Sequence, residues 1–156
     1  MEGSCVRVFK QETQRATMKN TKQVIVMRKD LKMRTGKACA QASHASMAFL
    51  TARMRKERLA DTHEYWYCTD TIWDTVHADE IDHWLKNSFR KIVCYVDSEE
   101  ELLAVHTAAK AASLTSHLIT DNGTTEFGGA PTKTCIAIGP HYDDRFHGIT
   151  TLLPLL

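Results

Sequence analysis

The 156-residue sequence contains few of the residues that mark fibrous or disordered chains, with seven glycines and three prolines. This composition excludes collagen-like and linker-rich proteins and most disordered ones. Apolar runs of the roughly 20 residues needed to cross a bilayer are also missing, so we expect no membrane partner. The sequence is 43% apolar and 25% charged, which is typical of one globular domain of this length.

Metal-binding and disulfide patterns are missing as well. The five cysteines are far apart, and no C-x-x-C or Cys/His pair has the spacing of a zinc finger. The segment from His77 to His83 is rich in ligand-type residues, but one helix cannot bring both of its ends to one metal. An odd number of cysteines and the lack of an apolar N-terminal stretch favour a reducing compartment. The sequence therefore predicts a cytoplasmic protein without a metal site.

Motifs of phosphate binding, dinucleotide binding and covalent catalysis are also absent. Gly36-Lys37 lacks the preceding glycine and the following Ser or Thr of a P-loop, and no G-x-G-x-x-G occurs. No G-x-S-x-G or cysteine–histidine signature indicates a covalent serine or cysteine hydrolase. We therefore expect no cofactor.

The near-neutral net charge of +1 conceals two oppositely charged parts of the chain. Residues 1–58 contain fourteen Lys or Arg and four Asp or Glu, a balance of +10, whereas residues 59–156 have a balance of −9. Such asymmetry favours an anionic partner at the basic part, such as nucleic acid. The alternative is that the acidic part folds over the basic part and neutralises it.

The pattern of apolar residues predicts one α/β domain over residues 21–156, preceded by a flexible N-terminal extension over residues 1–20. The predicted strands cover residues 22–28, 91–96, 116–120 and 132–138, and the predicted helices cover residues 35–58, 79–89 and 99–112. We expect the aromatic-rich segment 61–75 to be a loop or a short helix, and Ile81, Trp84 and Leu85 to face inward. Helical crossovers between strands predict some parallel pairing.

Candidate site residues follow two of the predicted strands. The first strand leads to a basic loop and Lys37, and the third leads to Asp121 and Thr125. Because ligand sites of open α/β sheets lie beyond the carboxyl ends of parallel strands, we expect these segments to meet. Lys37, Gln41 and His44 recur on one helix face. A lysine, an aspartate and threonine hydroxyls could position water and stabilise an oxyanion in ester hydrolysis without a metal.

Several blocks of the sequence, in this order, carry a family resemblance. They are Lys37-Ala-Cys-Ala-Gln-Ala-Ser-His-Ala45 after a strand, Asp97-Ser-Glu-Glu-Glu-Leu102, Asp121-x-Gly-x-Thr125, Thr132-x-Thr134-x-x-Ala-Ile-Gly-Pro140 and the Leu-rich end. Together they resemble the type II peptidyl-tRNA hydrolases, over about residues 21–156. The resemblance implies an α/β domain with a mixed four-stranded sheet and helices on both faces, often a homodimer. It also implies cleavage of the ester that joins a peptide or an N-blocked amino acid to the 3′ end of tRNA.

The resemblance also implies roles for particular residues. The family's lysine falls on Lys37, its aspartate on Asp121 and its threonines on Thr125 and Thr134. Under this hypothesis Lys37 stabilises the oxyanion or anchors the terminal phosphate, while the aspartate and the threonines orient or activate the attacking water. The resemblance does not assign the general base to one of these residues.

Substrate-binding residues are expected around this catalytic set. Gln41 and His44 match the polar helix face of the family. We expect four basic residues to border the cleft of Lys37 and to meet tRNA phosphates: Arg28, Lys29, Lys32 and Arg34. Two alternatives remain open at this point, namely a non-catalytic tRNA- or RNA-binding module or adaptor on the same fold, and a small-molecule hydrolase.

Overall fold

The computed structural model describes residues 20–59, 63–68 and 77–156, with side chains over 20–54 and 77–156. The predicted extension over residues 1–20 lies, except for Asn20, outside the described residues. The strands are β1 (Thr21–Arg28), β2 (Met54–Leu59), β3 (His63–Cys68), β4 (Lys91–Val96), β5 (Ser116–Asp121) and β6 (Thr132–Tyr142). The helices are α1 (Thr35–Thr51), α2 (Ala78–Lys86) and α3 (Glu99–Ala111). Within these ranges no helix combines the length and the apolar character that a membrane span needs.

The central sheet has four strands in the order β4-β1-β6-β5. β1 pairs with β4 in parallel, and β6 pairs antiparallel with both β1 and β5. The predicted mixed four-stranded sheet is confirmed. Because β1, β4 and β5 run in one direction, they end at the same edge of the sheet, where β6 begins.

Alternate residues of the buried strand β1 point to opposite faces of the sheet, as the pleat requires. Ile25 and Met27 pack in a cluster with Ala45 of α1, whereas Val24 and Val26 pack in a cluster with Leu102 of α3. All four strand residues are buried. Helices therefore cover both faces, which confirms the predicted α/β architecture.

The start of α3 is set by a reciprocal cap. The side chain of Ser98 accepts a hydrogen bond from the backbone N–H of Glu101 at 3.1 Å, and the Glu101 carboxylate accepts one from the Asp97 N–H at 2.9 Å. This capping box ends β4 and turns the chain onto the sheet face. The predicted helix start at residue 99 is confirmed, and the chain then crosses from one edge strand, β4, to the other, β5.

The prediction of one long helix over residues 35–58 is wrong at its C-terminal end. α1 ends at Thr51, and residues 54–59 form β2, which pairs antiparallel with β3 in the segment expected to be a loop or short helix. The sequence of β2, Met-Arg-Lys-Glu-Arg-Leu, consists of good helix formers. Pairing with the aromatic-rich strand β3, whose residue types favour sheets, overrides that local preference. The other residues of the segment 61–75 lie outside the described residues.

Helix α2 is shorter than predicted and presents a narrower apolar face. It ends at Lys86 rather than residue 89, because Asn87 leaves the helical conformation, with φ of −116° and ψ of −108°. Ile81 and Trp84 are buried as predicted, but Leu85 is 42% exposed, so the prediction that it faces inward is wrong. The indole N–H of Trp84 donates to the Arg90 carbonyl at 2.8 Å, which holds the tryptophan inward and leaves its neighbour on the solvent side.

Candidate active site

The edge of the sheet where three strands end brings Lys37 and Asp121 together. Lys37 lies in the first turn of α1, after β1, and Asp121 is the last residue of β5. Lys37 Nζ donates to Asp121 Oδ2 at 2.6 Å. The two side chains are 12% and 11% exposed, so the ion pair is partly shielded and still accessible from the surface.

Three donors hold the Asp121 carboxylate. Oδ2 accepts from Lys37 and from Gln41 Nε2 at 2.8 Å, and Oδ1 accepts from the Gly123 N–H at 2.9 Å. The hydrogen bond from Lys37, reinforced by the one from Gly123, holds the pKa of Asp121 below its usual value. At neutral pH Asp121 is therefore ionised and is a weak base.

The turn after Asp121 depends on glycine at position 123. Gly123 has φ of 81°, and a Cβ there would overlap the backbone of Ala130. Its carbonyl accepts hydrogen bonds from the N–H groups of Phe127 and Gly129 at 3.1 and 3.0 Å. The turn is thus folded back on itself, and it places Thr125 beside Lys37.

The ammonium group of Lys37 retains one donor. It donates to Asp121 and to Thr125 Oγ1, the latter at 3.0 Å, and the Phe127 ring centroid lies 5.6 Å away. A lysine ammonium has three N–H donors, and the third has no acceptor among the described residues. This donor and the exposed Thr125 hydroxyl can hydrogen-bond a ligand.

Gln41 and Thr134 support the ion pair from inside the protein. Gln41 is buried, and its Oε1 accepts from Thr134 Oγ1 at 2.6 Å while its Nε2 donates to Asp121. The two bonds fix which way the amide faces. Thr134 is fully buried, so the structure places it one residue away from the ion pair rather than at the surface.

Two depressions flank the ion pair. The first, of about 400 Å³, is the Lys37 depression, lined by Arg34, Gly36, Lys37, Thr125 and Glu126. The second, of about 340 Å³, is the Asp121 depression, lined by Gln41, His44, Ile119, Thr120, Asp121 and Asn122. Each depression thus contains one member of the pair, and the predicted substrate-binding residues Gln41 and His44 lie on the side of Asp121.

The four predicted phosphate-binding residues are divided between two places. Arg34 is 77% exposed and lines the Lys37 depression, where its Nε donates to Glu126 at 2.7 Å. Arg28, Lys29 and Lys32 instead line a neighbouring depression. Arg28 is 11% exposed and paired with acidic residues, including Glu99 at 2.9 Å, so here the acidic part of the chain does neutralise the basic part.

One group of metal-type ligands that sequence reasoning missed lies elsewhere in the described structure. Ligand atoms of His77, Glu80 and His141 lie within 4.8 Å of one another. The backbone N–H of Thr115 donates to His141 Nε2 at 2.8 Å, so His141 Nδ1 carries the hydrogen that faces Glu80. His77 Nδ1 faces the Arg145 guanidinium at 2.9 Å.

Hydrogen bonds inside the protein therefore occupy both ring nitrogens of His141. Burial lowers the pKa of this histidine to about 4, so it is neutral at pH 7. Burial raises the pKa of Glu80, but the hydrogen bonds from His141 and Arg145 outweigh that effect and leave the pKa below its usual value. This Glu80–His141 cluster is an internal polar network that offers a metal no free imidazole nitrogen from His141.

Comparison with known proteins relates this chain to one family. The model of the family described as peptidyl-tRNA hydrolase PTH2 matches residues 21–156. The peptidyl-tRNA hydrolase of Methanopyrus kandleri is 39% identical over 136 residues, which cover 86% of this chain and 97% of that protein. Those of Methanothermobacter thermautotrophicus and Methanocaldococcus jannaschii are each 34% identical, over 86% of this chain and 99% of the relative.

Proposed function

The chain belongs to the PTH2 family of peptidyl-tRNA hydrolases, and we propose that Lys37 and Asp121 carry its hydrolysis of the ester between peptide and tRNA. The chain is thus an esterase, and peptidyl-tRNA is its substrate class. The observation that supports the proposed site is the contact of 2.6 Å between these two side chains at the boundary of two open depressions.

Lys37 is the proposed electrostatic catalyst. Ester hydrolysis begins when water adds to the carbonyl carbon, and negative charge then develops on the carbonyl oxygen. The ester bond to the tRNA ribose breaks next, and a proton from the water ends on the leaving ribose oxygen. A preorganised N–H donor aimed at the developing oxyanion lowers the barrier. The third N–H of Lys37 is such a donor, and the Thr125 hydroxyl beside it is a second one.

Asp121 is proposed to orient the attacking water rather than to take its proton. Its pKa is held below the usual value, chiefly by the hydrogen bond from Lys37, so it is a poor proton acceptor at neutral pH. Oδ1 accepts one hydrogen bond within the described residues, from Gly123. A carboxylate oxygen can accept two, which leaves room for a water molecule.

Gln41 and Thr134 are proposed as positioning residues. The resemblance predicts a catalytic role for Thr134, which stays a prediction, and burial favours a role that acts through Gln41. In this arrangement Thr134 fixes the Gln41 amide, and that amide fixes Asp121.

Arg34, Lys29 and Lys32 are proposed to bind phosphates near the 3′ end of tRNA. The two terminal nitrogens of Arg34 have no acceptor in the part of the chain that the structure describes, and Lys29 and Lys32 are exposed. Arg28 donates to Asp30 and Glu99, so its proposed role is to hold the basic loop in place. Peptidyl-tRNA supplies the anion that the charge asymmetry of the sequence predicts.

The test is hydrolysis of N-acetylaminoacyl-tRNA in the presence of EDTA. We expect wild type to be active without a metal, and Lys37→Met and Asp121→Asn to lose about 100- to 1,000-fold in kcat, because each removes a charge at the reacting carbonyl. The matched controls are Lys86→Met and Asp82→Asn, which break an exposed ion pair of 2.8 Å on α2 and should leave kcat unchanged.

Two outcomes would favour the alternative functions. If wild type binds tRNA but does not release the amino acid, the chain is a binding module. If it cleaves small esters as fast as peptidyl-tRNA and with little dependence on salt, it is a small-molecule hydrolase. Both results would contradict the proposal.

The homodimer and the cytoplasmic location stay predictions. A homodimer should give twice the mass of the chain in light scattering at micromolar concentration. A mass equal to one chain at that concentration would contradict it.

A further inference from the structure

The two depressions that flank the ion pair differ in chemical character. The Lys37 depression contains two cationic side chains, Arg34 and Lys37, and one carboxylate, Glu126, which accepts from Arg34 Nε and leaves the two terminal nitrogens of Arg34 without an acceptor among the described residues. The Asp121 depression is lined by no Lys or Arg, and its only carboxylate is that of Asp121. The first depression therefore offers cationic donors to a polyanionic RNA end, and the second offers it none.

The polar groups of the Asp121 depression suit an uncharged amide ligand. Asn122 Oδ1 accepts from the Thr124 N–H and hydroxyl at 3.1 and 2.9 Å, which fixes its side chain in the turn. Its amide NH₂ group then has no acceptor among the residues that the structure describes. The hydroxyl of Thr120 and the ring of His44 are exposed at the same depression. The Asn122 amide and the Thr120 hydroxyl provide uncharged hydrogen-bond donors and an acceptor, as a peptide backbone requires, and the His44 ring is a further polar group.

The connectivity of the substrate matches this division. The ester carbonyl carbon carries the peptide on one side and the ribose oxygen on the other. A carbonyl held at the ion pair, with its oxygen toward Lys37, can therefore place its two substituents in different depressions. The Asp121 side then receives the peptide.

On the premise of the function above, we propose that the Asp121 depression is the peptide subsite and the Lys37 depression receives the 3′ end of tRNA. The Asn122 amide donates to a peptide carbonyl one residue or more beyond the ester, and Thr120 and His44 make further contacts with the peptide. Asn122 and Thr120 are thus specificity residues for the length of the peptide, and Arg34 is an affinity residue for the RNA.

Asn122→Asp and Thr120→Val test this assignment. Asn122→Asp keeps the oxygen that closes the turn, replaces the NH₂ donor by an acceptor and adds a negative charge. Thr120→Val removes a hydroxyl at nearly constant volume and adds no charge. Two readouts are required: kcat/KM for tripeptidyl-tRNA against N-acetylaminoacyl-tRNA, and the Kd of deacylated tRNA, which carries no peptide. Arg34→Gln is the comparison variant. His147→Ala, which changes an exposed histidine beyond the far end of β6, is the control that should change neither readout.

We expect Asn122→Asp to lower kcat/KM about tenfold for the tripeptidyl substrate and about twofold or less for the N-acetyl substrate, since only the longer peptide loses the hydrogen bond. The Kd of deacylated tRNA should not change in Thr120→Val, which adds no charge. Thr120→Val should show the same selectivity with a smaller loss. Arg34→Gln should weaken deacylated tRNA binding and reduce kcat/KM by one common factor for both substrates.

Two results would overturn the assignment while the hydrolase function stands. One is weaker binding of deacylated tRNA by Thr120→Val, which would place the RNA in the Asp121 depression. The other is an equal loss for both substrates by Asn122→Asp and Thr120→Val. A failure of the proposed function has a different signature, because wild type itself would then hydrolyse neither substrate.

Discussion

Strand β6 carries a charged cluster near each of its ends. Thr134 near its start supports the Lys37–Asp121 pair through Gln41, and His141 near its finish bonds to Glu80. The two residues are seven positions apart, or about 23 Å of extended strand. Each cluster joins a strand residue to a helix residue by a hydrogen bond to a carboxylate, Lys37 to Asp121 and His141 to Glu80. The type of hydrogen bond therefore does not distinguish the two clusters.

The clusters differ in the hydrogen-bonding capacity that they keep. Around Glu80, the carboxylate oxygens are taken by His141 and Arg145, and Arg145 also donates to the Ser113 carbonyl. Around Asp121, one N–H of Lys37 stays unpaired among the described residues, and the pair faces two depressions. Unused donors at an accessible position, rather than the presence of charge, are thus the feature that distinguishes the proposed active site from the Glu80–His141 cluster.

The largest effect that would test this contrast is on stability, at the buried cluster. We expect Glu80→Ala to lower the free energy of unfolding by about 3–5 kcal/mol, because it leaves Arg145 and a buried histidine without their partner. Urea denaturation measures the loss. Turnover of the folded fraction should be unchanged in Glu80→Ala. Lys37→Met should instead lower turnover and leave the free energy of unfolding nearly unchanged.

A metal-binding role for the Glu80–His141 cluster would contradict this contrast. If Zn²⁺ raised the Tm of wild type but not that of Glu80→Ala, the cluster would be a metal site rather than a saturated network. An unchanged Tm in both proteins is the expected result.

The two clusters lose their contributions to stability in different pH ranges. The pKa of His141 is about 4 in the fold and about 6.5 in the unfolded chain. The unfolded chain therefore gains a proton first on acidification, and about 3 kcal/mol of stability is lost between pH 6.5 and pH 4. The pKa of Asp121 is also lowered, but its contribution is full above the unfolded pKa of about 3.9 and is lost only below it.

Urea denaturation of wild type and His141→Gln at pH 7 and at pH 4.5 measures the first window. The variant should be less stable at pH 7 and should lose less stability between the two pH values. An equal pH dependence in both proteins would show that His141 is not the group that titrates.

The sequence was sufficient to predict the contact of Lys37 with Asp121. The two residues lie 84 positions apart, yet Asp121 follows one predicted strand and Lys37 follows another after a short basic loop, and the rule for parallel sheets brings such positions together. The start of α3 could be predicted for a different reason, because a helix cap such as that of Ser98 is a local sequence pattern.

Long-range pairing explains what the sequence did not reveal. The Glu80–His141 contact joins residues 61 positions apart that no strand-end rule relates. The hairpin of β2 and β3 was missed because charged helix formers in β2 hide its strand character. The pairing of Arg28 with Glu99 was missed because the sequence of a basic loop does not show whether its cations are paired with distant carboxylates.

A smaller effect on turnover would sharpen the description of the Lys37–Asp121 pair. We expect Gln41→Ala to lower kcat about tenfold with little change in KM, and Thr134→Val to have a weaker effect, since each removes one hydrogen bond from the chain that holds Asp121. The pKa of Asp121, measured by NMR, should rise in Gln41→Ala. Thr134→Ser should restore kcat, and failure to do so would contradict the positioning role.

The smallest expected effect is on the salt dependence of tRNA binding by the basic residues. Here too, side chains that keep unused donors differ from those whose donors are bonded within the protein. Arg34 keeps its two terminal nitrogens free of acceptors in the described structure, whereas Arg28 is held by Asp30 and Glu99. Each phosphate contact contributes about one unit to the dependence of log K on log salt concentration. Arg34→Gln should therefore reduce the slope for deacylated tRNA by about one unit, and Arg28→Gln should leave it unchanged. If Arg28→Gln reduced the slope as much, bonds within the protein would not determine which cations are available to RNA.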